Sequence, residues 1–200
     1  MTESEKAYYE KRAPEYDDWY LGTGLYATRI RPGWHEEVES VRAVLRHLQP
    51  GLFVDVACGT GFLTQHLPGE VVALDQSLAM LKVARQRLAG PVAQGDAFQL
   101  PFRDRTVDCL LAGHFYGHLT EEPRFRFLGE ARRVSRQILI VDAALRDDVQ
   151  PEETQERVLG DGSRHTVYKR FFEPAQLAAE LGGGRVLHAG RWFIAVLAVC

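Results

Sequence analysis

Three aspartates, two histidines and a glycine turn are the residues of this chain best placed to do chemistry. Leu52-Phe53-Val54 leads into Asp55, and Gly59-Thr60-Gly61 follows shortly after. An apolar strand that ends in a carboxylate and a glycine turn, with the helical pattern Phe62, Leu63, His66 and Leu67 behind it, suits a nucleotide-type cofactor. Glycine reaches positive φ and lets a ligand approach the backbone. Asp75 ends the next apolar run, Val71-Val72-Ala73-Leu74, about where such folds place the ribose-binding acid. Asp96 lies in Gly95-Asp96-Ala97, after a third short run. His114 and His118 share one face if their segment is helical, and histidine is suited to take a proton near neutral pH.

A dinucleotide fingerprint calls for a third small residue where this chain has Thr64. The Asp55 carboxylate would repel a pyrophosphate and attract an ammonium. S-adenosylmethionine (SAM) carries an ammonium, a ribose and an adenine, and no phosphate. The string Asp55-x-Ala57-x-Gly59-x-Gly61 with Asp75 behind it resembles motif I of the class I SAM-dependent methyltransferases, a family with a seven-stranded Rossmann-like sheet. The resemblance implies that Asp55, Ala57, Gly59 and Gly61 hold the methionine end of SAM. It implies that Asp75 accepts from the ribose hydroxyls, and that Gln76 and Met80 border the adenine. Asp96 would take the adenine amino proton, the Ala97 N–H would meet a ring nitrogen, and Phe98 would pack on the base. Asp75 and Asp96 could equally be helix-capping acids at strand ends.

The segment 112–119 follows the fourth strand, where the family faces its acceptor. His114 and His118 are candidate catalytic bases there, or else His114 backs the methionine moiety and His118 fills a pocket wall. Tyr8, Tyr9, Tyr16, Trp19, Tyr20 and Tyr26 crowd the N-terminal segment. They could fold over the cofactor as a lid with Tyr16 near the sulfonium, or pack the segment onto the sheet. The acidic stretch from Asp147 to Glu156, with Arg157, Arg164, Lys169 and Arg170 behind it, reads as a solvated face, with Tyr168, Phe171 and Phe172 pointing inward.

The elements that must position these residues alternate along the chain. Trp34, Val38, Val41, Leu45 and Leu48 predict a helix over 33–48, ended by Gln49-Pro50-Gly51. Strands are predicted at 52–56, 71–75, 91–94, 107–112 and 137–142, and helices at 61–67, from Ser77 to Leu88, near 121–135 and from Pro174 to Leu181. Residues 165–172 read as extended. Strands at 185–188 and 192–199 join through Ala189-Gly190. The expected fold is α/β: a doubly wound, mostly parallel seven-stranded sheet with a C-terminal antiparallel hairpin and an N-terminal helical cap. One domain is expected over 1–200, with the cap or lid at 1–32 and the Rossmann-like core at 33–200.

The 200 residues carry a net charge of −3, with 46% hydrophobic and 26% charged residues, an ordinary globular composition without a basic footprint for nucleic acid. No run approaches about 18 apolar residues, so no membrane span is expected. Cys58, Cys109 and Cys200 lack metal-ligand spacing and read as reduced thiols in a cytoplasmic protein, with no metal expected. No Asn-Pro-Pro-Tyr, Asp-Pro-Pro-Tyr or Pro-Cys pair marks a DNA methylase. The expected activity is therefore SAM-dependent methyl transfer to a small molecule by in-line displacement. A non-catalytic SAM- or partner-binding protein on the same fold, and an NAD-dependent oxidoreductase, are the alternatives. The acceptor and the oligomeric state are not legible.

Overall fold

Buried apolar runs flanked by amphipathic stretches fold into strands covered by helices. The computed structural model describes residues 3–200. The chain opens with helices α1 (Glu3–Arg12) and α2 (Asp18–Leu21), separated by a 3-10 turn at Ala13–Glu15 that holds Pro14. Helix α3 (Trp34–Arg46) buries Trp34, Val38, Val41 and Leu45, the stripe its sequence predicts. Then come β1 (Gly51–Val56), β2 (Gly69–Asp75), α4 (Leu78–Arg87), β3 (Val92–Gln94), β4 (Val107–Gly113), α5 (Glu121–Val134) and β5 (Ser135–Ala143). The chain closes with β6 (Glu152–Val158), β7 (Arg164–Arg170), α6 (Pro174–Glu180), β8 (Gly184–Ala189) and β9 (Phe193–Val199).

Seven strands form one sheet in the order β3-β2-β1-β4-β5-β9-β8, parallel except for β9, which runs antiparallel to both β5 and β8. Apolar side chains bury on both faces. Helices α5 and α6 pack with Leu110, Ile138, Ile140 and Val196 on one face; α2 and α3 pack with Phe53, Leu111, Leu139 and Phe193 on the other. Strand order reverses between β1 and β4, which opens a crevice at their carboxyl ends, the place where such sheets bind ligands.

Two features depart from the sequence reading. No α-helix follows β1; Thr64–His66 forms a single 3-10 turn. Residues 57–68 must make the whole crossover to β2, and Pro68-Gly69 turns the chain back before a helix can propagate. The segment read as a solvated acidic face instead contains β6, which pairs antiparallel with β7 in a second, two-stranded sheet. Lys169 and Arg170 are buried there rather than solvated, because β7 packs on the turn at Tyr116–His118 and the two side chains reach Asp142 of β5 and Glu180 of α6. No helix among the described residues is long and apolar enough to cross a membrane.

Candidate functional site

The glycine loop after β1 is built by its own backbone. The Cys58 N–H donates to Leu74 O at 3.0 Å and the Gly61 N–H to Cys58 O at 2.9 Å, while Ala57, Gly59 and Gly61 all take positive φ. Asp75, at the end of β2, clamps this loop. Its Oδ2 accepts from the Gly59 N–H at 2.9 Å and its Oδ1 from the Ser77 N–H at 2.8 Å. Burial raises the Asp75 pKa, and those two N–H bonds oppose the rise. The Gly95 N–H donates to Asp75 O at 3.1 Å, which draws the end of β3 alongside.

Ala57 and His114 are non-glycine residues at φ 58° and 53°, on the carboxyl ends of the adjacent strands β1 and β4. Backbone held in this sparsely populated region collects at functional sites. Both residues line a cleft enclosing about 850 Å³, part of it open to solvent. Its other walls include Tyr8, Tyr9 and Tyr16 from the cap, Gly59, Asp75 and Gln76 from the loops after β1 and β2, Ala97 and Phe98 beyond β3, and His118 and Val167.

The two histidines differ in their surroundings. His118 stands on a 3-10 turn (Tyr116–His118), not on a helix face, and its ring Nδ1 lies 2.8 Å from Tyr168 O. Burial, then nearby Lys169, pushes its pKa down to about 3. His114 packs against the rings of Trp19, Tyr20 and Phe193. Its Nδ1 lies 3.8 Å from Asp142 Oδ1, and its buried Nε2 has no partner. Burial lowers the His114 pKa and Asp142 opposes the fall, so the ring is neutral near pH 7. Asp142 closes the network: it pairs with Lys169 and accepts from the Gly117 N–H at 2.7 Å and from its neighbour's, Ala143, at 2.8 Å. Burial would raise its pKa, but Lys169 and His114 hold it well below the usual carboxylate range.

Of the residues singled out from sequence, Tyr16, Ala57, Gly59, Asp75, Gln76, Ala97, His114 and His118 meet at this cleft. Four do not line it. Met80 is fully buried, because the helical phase of α4 turns it inward with Leu81 and Ala84. Gly61 faces Leu88, whose side chain would lie 3.0 Å from an added Cβ. Asp96 is exposed at the rim, where its Oδ1 accepts from the Phe98 N–H at 3.0 Å and from Gln76 Nε2 at 3.3 Å. Asp55 lies behind the loop in a smaller hollow that shares Tyr16, Ala57 and Gly113 with the cleft. Thr64 donates to Asp55 Oδ2, and the buried Oδ1 has no partner. An orphaned buried acceptor at the turn of a glycine loop fits an ammonium-bearing ligand. Sequence reasoning missed Asp142 and Lys169. Asp142 ends the fifth predicted strand as Asp55 and Asp75 end theirs, and that pattern was the available signal.

This geometry agrees with the relatives. Residues 54–138 match the family model described as a methyltransferase domain. A demethylmenaquinone methyltransferase from Thermotoga maritima is 34% identical over 132 residues, covering 63% of this chain and 54% of that protein. The uncharacterized protein MJ1252 of Methanocaldococcus jannaschii is 32% identical over 130 residues, covering 64% of this chain and 46% of that one. The chain spans about half the length of these curated relatives. The solved DhpI-SAM-HEP complex superposes over 98% of this chain and 96% of its own, with TM-score 0.78 and 26% identity. The fold is the Rossmann-like α/β fold of methyltransferases. Residues 54–138 are thus similar to a methyltransferase domain, and the whole chain shares its fold with the SAM-bound DhpI complex.

Proposed function

We propose that this protein transfers a methyl group from SAM to a small-molecule acceptor bound in the cleft. The observation that carries the reading is the meeting of the glycine loop, Asp75 and the strained His114 around one cleft at the reversal of strand order. Gly59 and Ala57 give the backbone a face free of bulky side chains, Asp75 supplies carboxylate lone pairs beyond those taken by two N–H groups, and Asp55 supplies an unmatched acceptor. Gln76, Ala97 and Phe98 form the wall suited to the adenine, with Asp96 at its rim. When bound, SAM would supply a methyl group on a positive sulfur that can leave with its electron pair.

The protein's own part is alignment and exclusion of water. The cap rings of Tyr8, Tyr9 and Tyr16 close one side of the cleft. An acceptor hydroxyl or amine releases a proton as it is methylated, and His114 is the base this site favours. Its ring is neutral, its Nε2 carries a free lone pair, and Asp142 beside Nδ1 stabilises the imidazolium that forms. His118, hard to protonate beside Lys169, serves as wall. Three cysteines without disulfides support a reducing compartment such as the cytoplasm.

Titration calorimetry with SAM, S-adenosylhomocysteine and NAD tests the assignment. Binding of the first two without NAD is expected, and NAD binding with neither of the others would overturn it. Asp75→Asn is expected to weaken S-adenosylhomocysteine by about 1.5–3 kcal/mol, the scale of hydrogen bonds to a charged group. Unchanged affinity in the folded variant would remove Asp75 from the cofactor.

A further inference from the structure

We propose that the methyl acceptor carries an anionic oxyacid group, and that Arg157 and Arg12 hold this group where the two-stranded sheet meets the cap. The inference rests on the methyl-transfer reading above.

Exposure alternates residue by residue along β6, and its half-buried members are Glu153, Gln155 and Arg157. A strand that merely covered a core would turn apolar side chains to that face. Here all three are polar. Across the ladder Gln155 faces Val167, which lines the cleft, and Arg157 faces His165, whose ring packs on cleft-lining Tyr8. Arg157 Nη2 donates to Gln155, while its buried Nε has no partner. Gln155 in turn donates to Glu153, so the amide stands between that carboxylate and the guanidinium.

Arg12 approaches from the cap side: it is hydrogen-bonded to Tyr8, whose ring packs on His165, the residue opposite Arg157. It is buried, donates to the phenol oxygens of Tyr8 and Tyr26, and has its guanidinium carbon 5.2 Å from the ring centre of Tyr16. Among the described residues neither arginine forms an ion pair with a carboxylate. Lys169 of β7, opposite Glu153 on the ladder, is already neutralised by Asp142. Burial, and then Arg12 and Arg29, act against the charge on Arg157, although Tyr8 and Tyr26 ease it. Two cations largely removed from water around the Tyr8 and His165 rings, neither paired with a carboxylate, are costly. A bound oxyanion removes that cost. The guanidinium fork matches carboxylate and phosphate alike, with the free Arg157 Nε edge as the first donor. The Tyr8 hydroxyl accepts from Arg12, so its own hydrogen is left to donate.

The test uses the whole chain saturated with S-adenosylhomocysteine. Inorganic phosphate, acetate and tetramethylammonium are titrated separately and followed by amide NMR shifts. Phosphate or acetate is expected to bind, with shifts at Tyr8, Arg157 and Val167. The tighter of the two tells whether the acceptor carries a phosphoryl-type or a carboxylate group. Arg157→Gln is expected to weaken that binding at least tenfold and to change S-adenosylhomocysteine affinity less than twofold. Arg157→Lys, which keeps the charge and loses the fork, is expected to fall between. Three results would overturn the proposal: no anion binding by the wild type, anion binding unchanged in Arg157→Gln, or tighter binding of tetramethylammonium than of either anion. If Arg157→Gln does not fold, the wild-type titration and Arg157→Lys decide. Failure of S-adenosylhomocysteine to bind strikes the methyl-transfer reading alone, and the anion titration on the free protein then decides the arginine site.

Discussion

Asp55 concentrates the electrostatics of the proposed cofactor site in one carboxyl group. Burial raises its pKa to about 7, the Thr64 hydroxyl lowers it in part, and Asp75 raises it further. An acid raised this far is neutral below about pH 7 and offers an ammonium no charge. Binding an ammonium favours the carboxylate and expels the proton. The affinity for S-adenosylhomocysteine is therefore expected to rise with pH between about 5 and 7, by up to roughly tenfold per unit, and to level off above. Asp55→Asn is expected to flatten that profile. Calorimetry across the range checks both, and a flat wild-type profile would separate Asp55 from the ligand. The same shift has a stability consequence. The unfolded carboxyl ionises near pH 4 and the folded one near 7, so the ligand-free protein loses stability as pH rises through that window.

At the scale of elements, the join between the small sheet and the main one rests on Lys169 of β7 and Asp142 of β5, both buried. Lys169→Met leaves the carboxylate buried with its N–H donors and His114 but no cation. A loss of about 3–5 kcal/mol is expected, and the double variant Lys169→Met, Asp142→Asn is expected to recover much of it, because neutral replacements remove the desolvation cost of both charges. Urea denaturation of the three proteins measures this, and additive losses would show that the pair is not coupled. Elements with internal periodicity were legible in the sequence. The α3 stripe, the Ser77 cap, whose Oγ accepts from the Met80 N–H at 3.2 Å, and the C-terminal hairpin all stand within a few residues of where the pattern puts them. Strand β6 was not legible, because its inward positions are charged or polar and its pairing partner lies on the far side of a turn.

Across the whole molecule, polar contacts fasten the cap to the rest of the chain. Glu10 accepts from the first N–H groups of α4, at Leu78 and Ala79; Glu15 accepts from the Gly160 N–H; and Asp17 pairs with Arg87. These are polar contacts between surfaces, and the buried cluster beneath α1 is small, Tyr8 with Leu159 and Val167, whereas Tyr20 of α2 sits in the main core. Such a region opens more readily than the sheet. Hydrogen exchange is expected to slow on addition of S-adenosylhomocysteine across residues 6–20 and 152–170, with little change in β4 and β5. Equal slowing everywhere, or none in the cap, would rule out closure over the ligand.

What the chain announced by itself was local. A strand's apolar run, the acid that ends it, and the glycines that let the backbone turn are neighbours in sequence, so one stretch dictates them. That gave the sheet, the glycine loop and the acids of the first three strands. Tertiary structure decided which side each acid faces and who its partners are: Asp55 behind the loop, Asp75 clamping it, Asp96 at the rim. It alone joined His114, Asp142 and Lys169, and Arg12 with Tyr8 and His165, from segments apart in the chain. Burial and charge pairing are properties of the packed molecule, and no spacing rule along the chain contains them.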